Sequence, residues 1–203
     1  MERFDPGRFQ TNQKDNSAFT FLFVGRIVGD KGINELVEAF VKLNGKYHNT
    51  RLLLVGEYEN FLDPLKSETL KMIESCEAIV SCGVKYGDDL LKEYLKADCF
   101  ILPSYREGFP NTVMEAGAME LPSIVTDING SREIIVDGKN GLIVPPRMVK
   151  PLFDAMERVM TDGNLRETMR KNARPMIATR FEKNYVQGCL MDYYEEVLKV
   201  DCL

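Results

Sequence analysis

Two glutamates, Glu107 and Glu115, stand eight positions apart at the ends of the segment Glu-Gly-Phe-Pro-Asn-Thr-Val-Met-Glu. The first follows the apolar run Cys99 to Leu102, which predicts a strand, and the second lies about one turn inside a helix that we expect to begin near Pro110. A strand end, a tight loop and a helix N-terminus together form a site for anions. Carboxylates on either side of such a site suit sugar hydroxyls, so the segment indicates a nucleotide-sugar as ligand.

The backbone between these glutamates supplies donors for a phosphate. The N–H groups of Phe109, Asn111 and Thr112 lie where a loop becomes a helix, and Pro110 fits the first helical position, where a missing N–H costs little. In this interpretation the second glutamate accepts both hydroxyls of a ribose, and the first binds the transferred sugar. Spacing alone leaves an alternative open, in which the first glutamate caps the helix and the second is a surface residue.

A basic, glycine-containing loop follows the apolar run Phe19 to Val24. Gly25 allows a sharp exit from the predicted strand, Gly32 opens the next helix, and Arg26 and Lys31 project between them. An arginine can bind a diphosphate through two hydrogen bonds and a lysine binds it as a point charge. The glycine spacings of the P-loop and of the dinucleotide fingerprint are both absent. Taken by itself, such a loop is more often an ordinary solvated turn.

The elements that position these residues alternate between strand and helix. Short, nearly uniformly apolar runs predict buried parallel strands at 19–24, 52–55, 78–80, 99–102, 123–125 and 142–144. Helical spacing of apolar residues predicts helices at 33–43, 64–76, 88–97, 111–121, 148–160, 165–179 and 182–199. This order predicts an α/β fold: a Rossmann-like, doubly wound parallel sheet of about six strands, flanked by helices and followed by a helical C-terminal tail. Ligands of such sheets bind at the carboxyl ends of the strands.

We divide the chain into three parts on the same grounds. Residues 1–17 are polar and read as a linker or arm, 18–180 form the Rossmann-like domain, and 181–203 form a C-terminal helix. A net charge of -5 argues against a nucleic-acid partner. Five scattered cysteines without Cys-x-x-Cys spacing argue against a zinc or redox site. No Asp-x-Asp motif is present, so we expect neither a metal nor another cofactor.

Three motifs in order carry a resemblance to a known family. They are Phe23-Val24-Gly25-Arg26 through Lys31-Gly32, the segment from Glu107 to Glu115, and Gly130-Ser131-Arg132-Glu133 through Gly138 to Pro145. Their spacing resembles that of the donor-binding C-terminal domain of the retaining glycosyltransferases of family 4, the group 1 transferases. That resemblance covers nearly the whole chain and implies one half of a GT-B fold.

The resemblance also implies roles for individual positions. Arg26, Lys31 and Glu107 match catalytic positions, the two cations at the donor diphosphate and the carboxylate near the donor sugar. The positions that match donor-binding residues are Gly25, Val84, Gly108, Phe109, Pro110, Asn111, Thr112 and Glu115. Many members of the family carry glycine where Pro110 stands, so one backbone donor is missing here.

The resemblance implies that the enzyme transfers a sugar from a nucleotide-diphospho-sugar, in surface polysaccharide or glycoconjugate assembly. The acceptor, a sugar or a lipid-linked glycan, would bind to an N-terminal domain outside these 203 residues, and the C-terminal helix would pack toward that domain. We expect the chain alone to be inactive. We also expect a cytoplasmic protein, and association of the whole enzyme with the inner face of the membrane stays open. Alternatives are a GT-B sugar-nucleotide epimerase, a phosphorylase, or a non-catalytic nucleotide-binding module.

Overall fold

Six short strands form one parallel sheet in a computed structural model that describes residues 3–8, 17–59 and 61–200. The strands are β1 (Phe19–Val24), β2 (Thr50–Val55), β3 (Ile79–Gly83), β4 (Cys99–Leu102), β5 (Ser123–Thr126) and β6 (Gly141–Val144). Their order across the sheet is β3-β2-β1-β4-β5-β6, and every neighbouring pair is parallel. The predicted doubly wound sheet is therefore confirmed.

Eight helices connect and flank the strands in the described part of the chain. They are α1 (Ile33–Lys46), α2 (Ser67–Ser75), α3 (Gly87–Lys96), α4 (Asn111–Ala118), α5 (Ser131–Ile134), α6 (Val149–Thr161), α7 (Gly163–Phe181) and α8 (Lys183–Val200). Because crossovers between parallel strands are right-handed, α1 and α2 cover one face of the sheet and α4 and α5 the other. The chain returns after β6, so that α6 packs against α1 and α7 packs against α4.

Part of the hydrophobic core lies between β1 and α1. Phe21, in the middle of β1, is fully buried, and its ring lies 6.4 Å from that of Phe40 in an edge-to-face arrangement. Leu36 and Leu43 lie on the same face of α1 as Phe40, one turn before it and one turn after it, and are also fully buried. This packing fixes the start of α1, and with it the loop that precedes the helix.

Helix α8 differs from the other long helices because its apolar residues face solvent. Eight large apolar side chains of this helix are exposed: Tyr185, Val186, Leu190, Met191, Tyr193, Tyr194, Val197 and Leu198. Its packing toward another domain stays a prediction, and residues 201–203 of the predicted C-terminal helix lie outside the described residues, as do 1, 2 and 9–16 of the predicted arm. Among the described helices, none is both long enough and apolar enough to cross a membrane.

Gly32 is required where the basic loop passes the end of β4. Its backbone is left-handed, with φ of 70°, and a Cβ atom at this position would lie 2.1 Å from the carbonyl oxygen of Pro103. Only a residue without a Cβ fits this contact, since real Cβ atoms do not approach a carbonyl so closely. Gly32 thus allows the loops that follow β1 and β4 to touch.

Replacing Gly32 with alanine should destabilise the protein, by at least about 1–2 kcal/mol from the left-handed backbone alone. Gly45→Ala is the matched control, because Gly45 lies inside α1 and a Cβ there would have nothing within 4 Å. That control should raise stability by up to about 1 kcal/mol through helix propensity. Urea unfolding followed by circular dichroism measures both, and equal effects of the two substitutions would contradict the packing described for Gly32.

Candidate functional site

The loops after β1 and β4 meet at the carboxyl edge of the sheet. The backbone N–H of Tyr105, in the loop after β4, donates to the carbonyl oxygen of Asp30, in the loop after β1, at 2.8 Å. Asp63, in the loop after β2, accepts a hydrogen bond from the backbone N–H of Asp30 and so holds this loop from its other side. Three loops that are far apart in the sequence therefore form one rim.

Lys31 and Glu107 are in direct contact within this rim. Lys31 Nζ lies 2.5 Å from Glu107 Oε1, and only 17% and 15% of the two side chains are exposed. Ser104 Oγ donates to the same carboxylate oxygen at 2.7 Å. An ammonium has three donors, and the pair occupies one of them. Oε2 of Glu107 has no hydrogen-bond partner among the described residues, so both groups keep capacity for a ligand.

Arg26 lies on the same rim but is oriented toward solvent. Its guanidinium is paired with Glu59 at 2.8 Å, and 60% of the arginine side chain is exposed. It lines a cleft of about 600 Å³. The other residues that line the cleft are Val28, Asp30, Glu59, Leu62, Asp63, Tyr105, Arg106 and Arg147. The cleft is therefore polar and is lined by both guanidinium and carboxylate groups.

Gly25 and Val84 line a second, smaller cavity of about 240 Å³ beside the first. Arg26 lines both cavities, so they adjoin at this side chain. Val84 and Tyr86 follow β3 and are exposed apolar residues. A cavity with such walls next to a cation is suited to a planar ring attached to a phosphate.

The segment from Gly108 to Thr112 is fixed by contacts on two sides. A Cβ on Gly130 would lie 2.2 Å from the carbonyl oxygen of Gly108, so the start of α5 packs directly on this loop. Phe109 packs its ring against Phe181, with the centroids 5.3 Å apart. Since the first N–H groups of a helix have no partner within it, those of Asn111 and Thr112 can bind an anion.

The predicted position of Pro110 within the helix is wrong by one residue. Helix α4 begins at Asn111, and Pro110 precedes it with an extended backbone, φ of −76° and ψ of 103°. The residue is the N-cap, and its carbonyl oxygen accepts the N–H of Val113 at 3.1 Å. A proline at this position leaves the first helical N–H groups in place, because the missing donor lies outside the helix.

Glu115 lines a different cavity from Arg26. Together with Asn111 it lines a shallow groove of about 200 Å³, whose other walls include Phe4 and Phe181. Tyr94 Oη donates to Glu115 Oε2 at 3.0 Å. Burial raises the pKa of Glu115 above its ordinary value, against the hydrogen bond from Tyr94 and the charge of Arg3, which both lower that pKa. Oε1 remains without a partner among the described residues.

The structure brings Arg26, Lys31 and Glu107 to one rim and places Asn111 and Glu115 in a separate groove. Arg26 shares a cleft with Tyr105 and Arg106, the neighbours of Glu107, and Glu107 contacts Lys31. Glu115 and Asn111 share their own groove, which does not include the two cations. Within the described residues, no group of three or more His, Cys, Asp or Glu side chains is placed to hold a metal ion.

Several residues of the cleft were missed by the sequence analysis: Glu59, Asp63, Tyr105, Arg106 and Arg147. Their positions in the chain give a signal, because all of them follow the carboxyl end of a strand, where ligands of parallel sheets bind. Their residue types are a weaker signal, since charged residues are common in any exposed loop. Which of them face one another depends on how three separate loops are folded.

The chain resembles known proteins in both sequence and structure. The model of the family described as glycosyl transferases group 1 matches residues 6–176. The chain is 33% identical over 186 residues to CapM, a capsular polysaccharide biosynthesis glycosyltransferase of Staphylococcus aureus, covering 91% of this chain and 48% of CapM. The chain spans about half the length of the curated relatives it matches.

Solved structures show the same fold. One is the C-terminal domain of LpcC, a group 1 family glycosyl transferase from Francisella tularensis, with a TM-score of 0.78 at 23% identity over 90% of this chain and 97% of that one. Another is HepE from Anabaena in complex with UDP and glucose, with a TM-score of 0.75 at 18% identity over 88% of this chain and 48% of HepE. The chain therefore belongs to the group 1 glycosyl transferase family, and its sheet has the fold of that family's C-terminal domain.

Proposed function

We propose that this chain binds the nucleotide-diphospho-sugar donor for a retaining glycosyltransferase in surface polysaccharide or glycoconjugate assembly. The observation that carries the proposal is the contact between Lys31 and Glu107 on a rim that also holds Arg26. Cations for a diphosphate and a carboxylate for sugar hydroxyls occur there within one set of loops. The acceptor, a sugar or lipid-linked glycan, would bind to the half of the enzyme that lies outside this chain.

The chemistry of the reaction explains why cations are needed. When the bond between the anomeric carbon and the phosphate oxygen breaks, its electron pair leaves with the diphosphate, and positive charge develops on the sugar. Cations that are fixed beside the leaving group stabilise the charge where it develops, and this is commonly the largest catalytic effect. In the proposal, Lys31 and Arg26 supply these cations and Glu107 binds the sugar.

The comparisons support the nucleotide part of the proposal by analogy. HepE, which has the same fold, was solved with UDP and glucose, and CapM is named for capsular polysaccharide biosynthesis. In this chain the cavity beside Val84 and Tyr86 would take the base. Glu115, with one free carboxylate oxygen, would accept a hydrogen bond from the ribose.

The chain alone should bind UDP or GDP weakly and transfer no sugar. Lys31→Ala should weaken binding by roughly ten-fold, because the diphosphate loses a charged hydrogen bond. The matched control is Lys42→Ala, which removes an exposed lysine that pairs with Glu38 on α1. Isothermal titration calorimetry measures both. If neither nucleotide gives heat at millimolar concentration, the proposed binding is overturned. If the two variants lose affinity equally, Lys31 does not contact the nucleotide.

In the full-length enzyme, Arg26→Ala should lower kcat by roughly 10²–10³-fold, since the lost cation acts mainly on charge that develops in the transition state. KM for the donor should change less. Steady-state kinetics with the natural donor checks this, and Arg170→Ala, on α7 outside the cleft, is the control. A variant whose turnover matches that of the wild type would show that Arg26 does not stabilise the leaving group.

As the pH falls, donor binding should weaken at a higher pH than it would if the pKa of Glu115 had its ordinary value. A ribose hydroxyl donates to the ionised carboxylate of Glu115, whose pKa is raised by burial, so the affinity is present above that pKa and is lost as the pH falls through it. Tyr94→Phe should move the midpoint further up, because the hydrogen bond from Tyr94 lowers the pKa of Glu115.

Glu115→Gln should bind more weakly and lose this dependence on pH. A nucleotide-sugar is the right ligand for the titration, since the terminal phosphate of a free nucleoside diphosphate would itself take up a proton near pH 6. Superimposable pH profiles for the wild-type protein and the Gln variant would exclude Glu115 from donor binding.

A further inference from the structure

Arg147 has an unusual backbone at the carboxyl edge of the sheet. It follows β6 after two prolines, and its φ is 62°, a left-handed value that costs free energy for a residue with a Cβ. Non-glycine residues held in this region cluster at active sites and ligand clamps; of the two in the described residues, Glu120 and Arg147, only Arg147 lines the cleft. The side chain lines the 600 Å³ cleft.

The guanidinium of Arg147 is held in place by an aromatic platform. It lies over the ring of Tyr105, 4.6 Å from the centroid. Tyr105 is itself fixed, because its hydroxyl donates to Glu35 Oε2 at 2.7 Å. Burial and the neighbouring Glu35 raise the pKa of Tyr105, so the phenol stays neutral. Stacking occupies the flat face of a guanidinium and leaves the N–H groups at its edge free to donate.

Two carboxylates of the cleft have close partners, and the third, Asp30, is loosely paired and keeps one buried oxygen, Oδ1, without a hydrogen-bond partner in the described part of the chain. Glu59 pairs with Arg26, and Asp63 accepts the backbone N–H of Asp30. Asp30 contacts Arg106 at 3.4 Å, a long contact to a side chain that is 85% exposed. Among the described residues, Arg147 has no carboxylate partner. The cleft therefore contains one preorganised arginine without a counter-ion and a second arginine that is only loosely paired.

We propose that Arg147, assisted by Arg106, forms an oxyanion subsite that binds a carboxylate or phosphate of the substrate other than the donor diphosphate. This inference rests on the proposed function, in which Arg26 and Lys31 already serve the diphosphate. The planar fork of a guanidinium matches either oxyanion through two parallel hydrogen bonds. The substrate class is thus an acidic one, with the extra charge either on the donor sugar, as in a uronate, or on a phosphorylated acceptor.

Arg147→Gly tests the subsite without disturbing the fold. Glycine adopts the left-handed backbone without strain, so the variant should unfold at the same denaturant concentration as the wild-type protein or at a higher one. Arg170→Ala is the control, since Arg170 pairs with Glu120 and Glu167 outside the cleft. Any loss of anion binding confined to the first variant then reports the missing guanidinium.

The donor arm of the experiment uses calorimetry with two nucleotide-sugars that differ by one carboxylate. The pair is UDP-glucose and UDP-glucuronate, or GDP-mannose and GDP-mannuronate if the base preference is guanine. The wild-type protein should prefer the acidic member by roughly ten-fold, in line with one charged hydrogen-bonded pair. Arg147→Gly should bind both members alike, with the affinity for the neutral sugar unchanged.

The acceptor arm uses glucose 1-phosphate and glucose as probes on the protein saturated with nucleotide. If the phosphate belongs to the acceptor, glucose 1-phosphate should bind and Arg147→Gly should weaken it by roughly ten-fold. A dependence on Arg147 in either arm supports the subsite and identifies the source of the oxyanion. The proposal is overturned if neither arm distinguishes Arg147→Gly from the wild-type protein while the nucleotide itself binds.

Failure of the proposed function gives a different result. In that case no nucleotide binds to the wild-type protein, and the glucose 1-phosphate titration is run without nucleotide. If Arg147→Gly then binds glucose 1-phosphate more weakly than the wild-type protein does, the oxyanion subsite is supported although the donor role is rejected. Equal binding by both proteins rejects the subsite as well.

Discussion

The change of direction in the strand order, between β1 and β4, is the constraint on which the site depends. The sheet grows from β1 toward β3 on one side and from β4 toward β6 on the other. At such a switch point the loops after two adjacent strands leave the same edge toward opposite faces, and a crevice opens between them. These loops carry Lys31 and Glu107, which are 76 positions apart in the sequence yet joined by an ion pair. Strand order, not nearness in the sequence, brings the chemistry together.

The sequence predicts those strands best that are buried on both faces. β1 and β4 have the predicted bounds, because every position of a doubly covered strand is apolar or small. β3 is predicted at 78–80 but runs from Ile79 to Gly83. It lies at the edge of the sheet, where most of its residues are exposed and need not be apolar. Helix α2 begins at Ser67, three residues after the predicted start, because Lys66 is extended with ψ of 145°.

In the candidate site, motif residues could be predicted and their partners could not. Arg26, Lys31, Glu107 and Glu115 were identified from their motifs together with the family resemblance that those motifs carry. That Arg26 pairs with Glu59, or that Tyr94 donates to Glu115, follows from neither. Such contacts join side chains from separate elements, and their geometry is fixed by how the loops pack. Arg147 shows the same limit, since its stacking on Tyr105 depends on a left-handed turn that no sequence pattern indicates.

The two ion pairs of the rim differ in a way that suits the proposed function. In the pair of Arg26 with Glu59 most of the arginine side chain is exposed, so water and salt screen the pair and little free energy is lost when it separates. The pair of Lys31 with Glu107 is mostly shielded from solvent, so it is screened less and its breaking would leave two poorly solvated charges. If the proposed function holds, an incoming diphosphate would therefore take Arg26 from Glu59 but would join Lys31 without displacing Glu107. In the proposed function Arg26 would adjust to the ligand, while Lys31 would hold the Glu107 carboxylate at a fixed place beside the donor sugar.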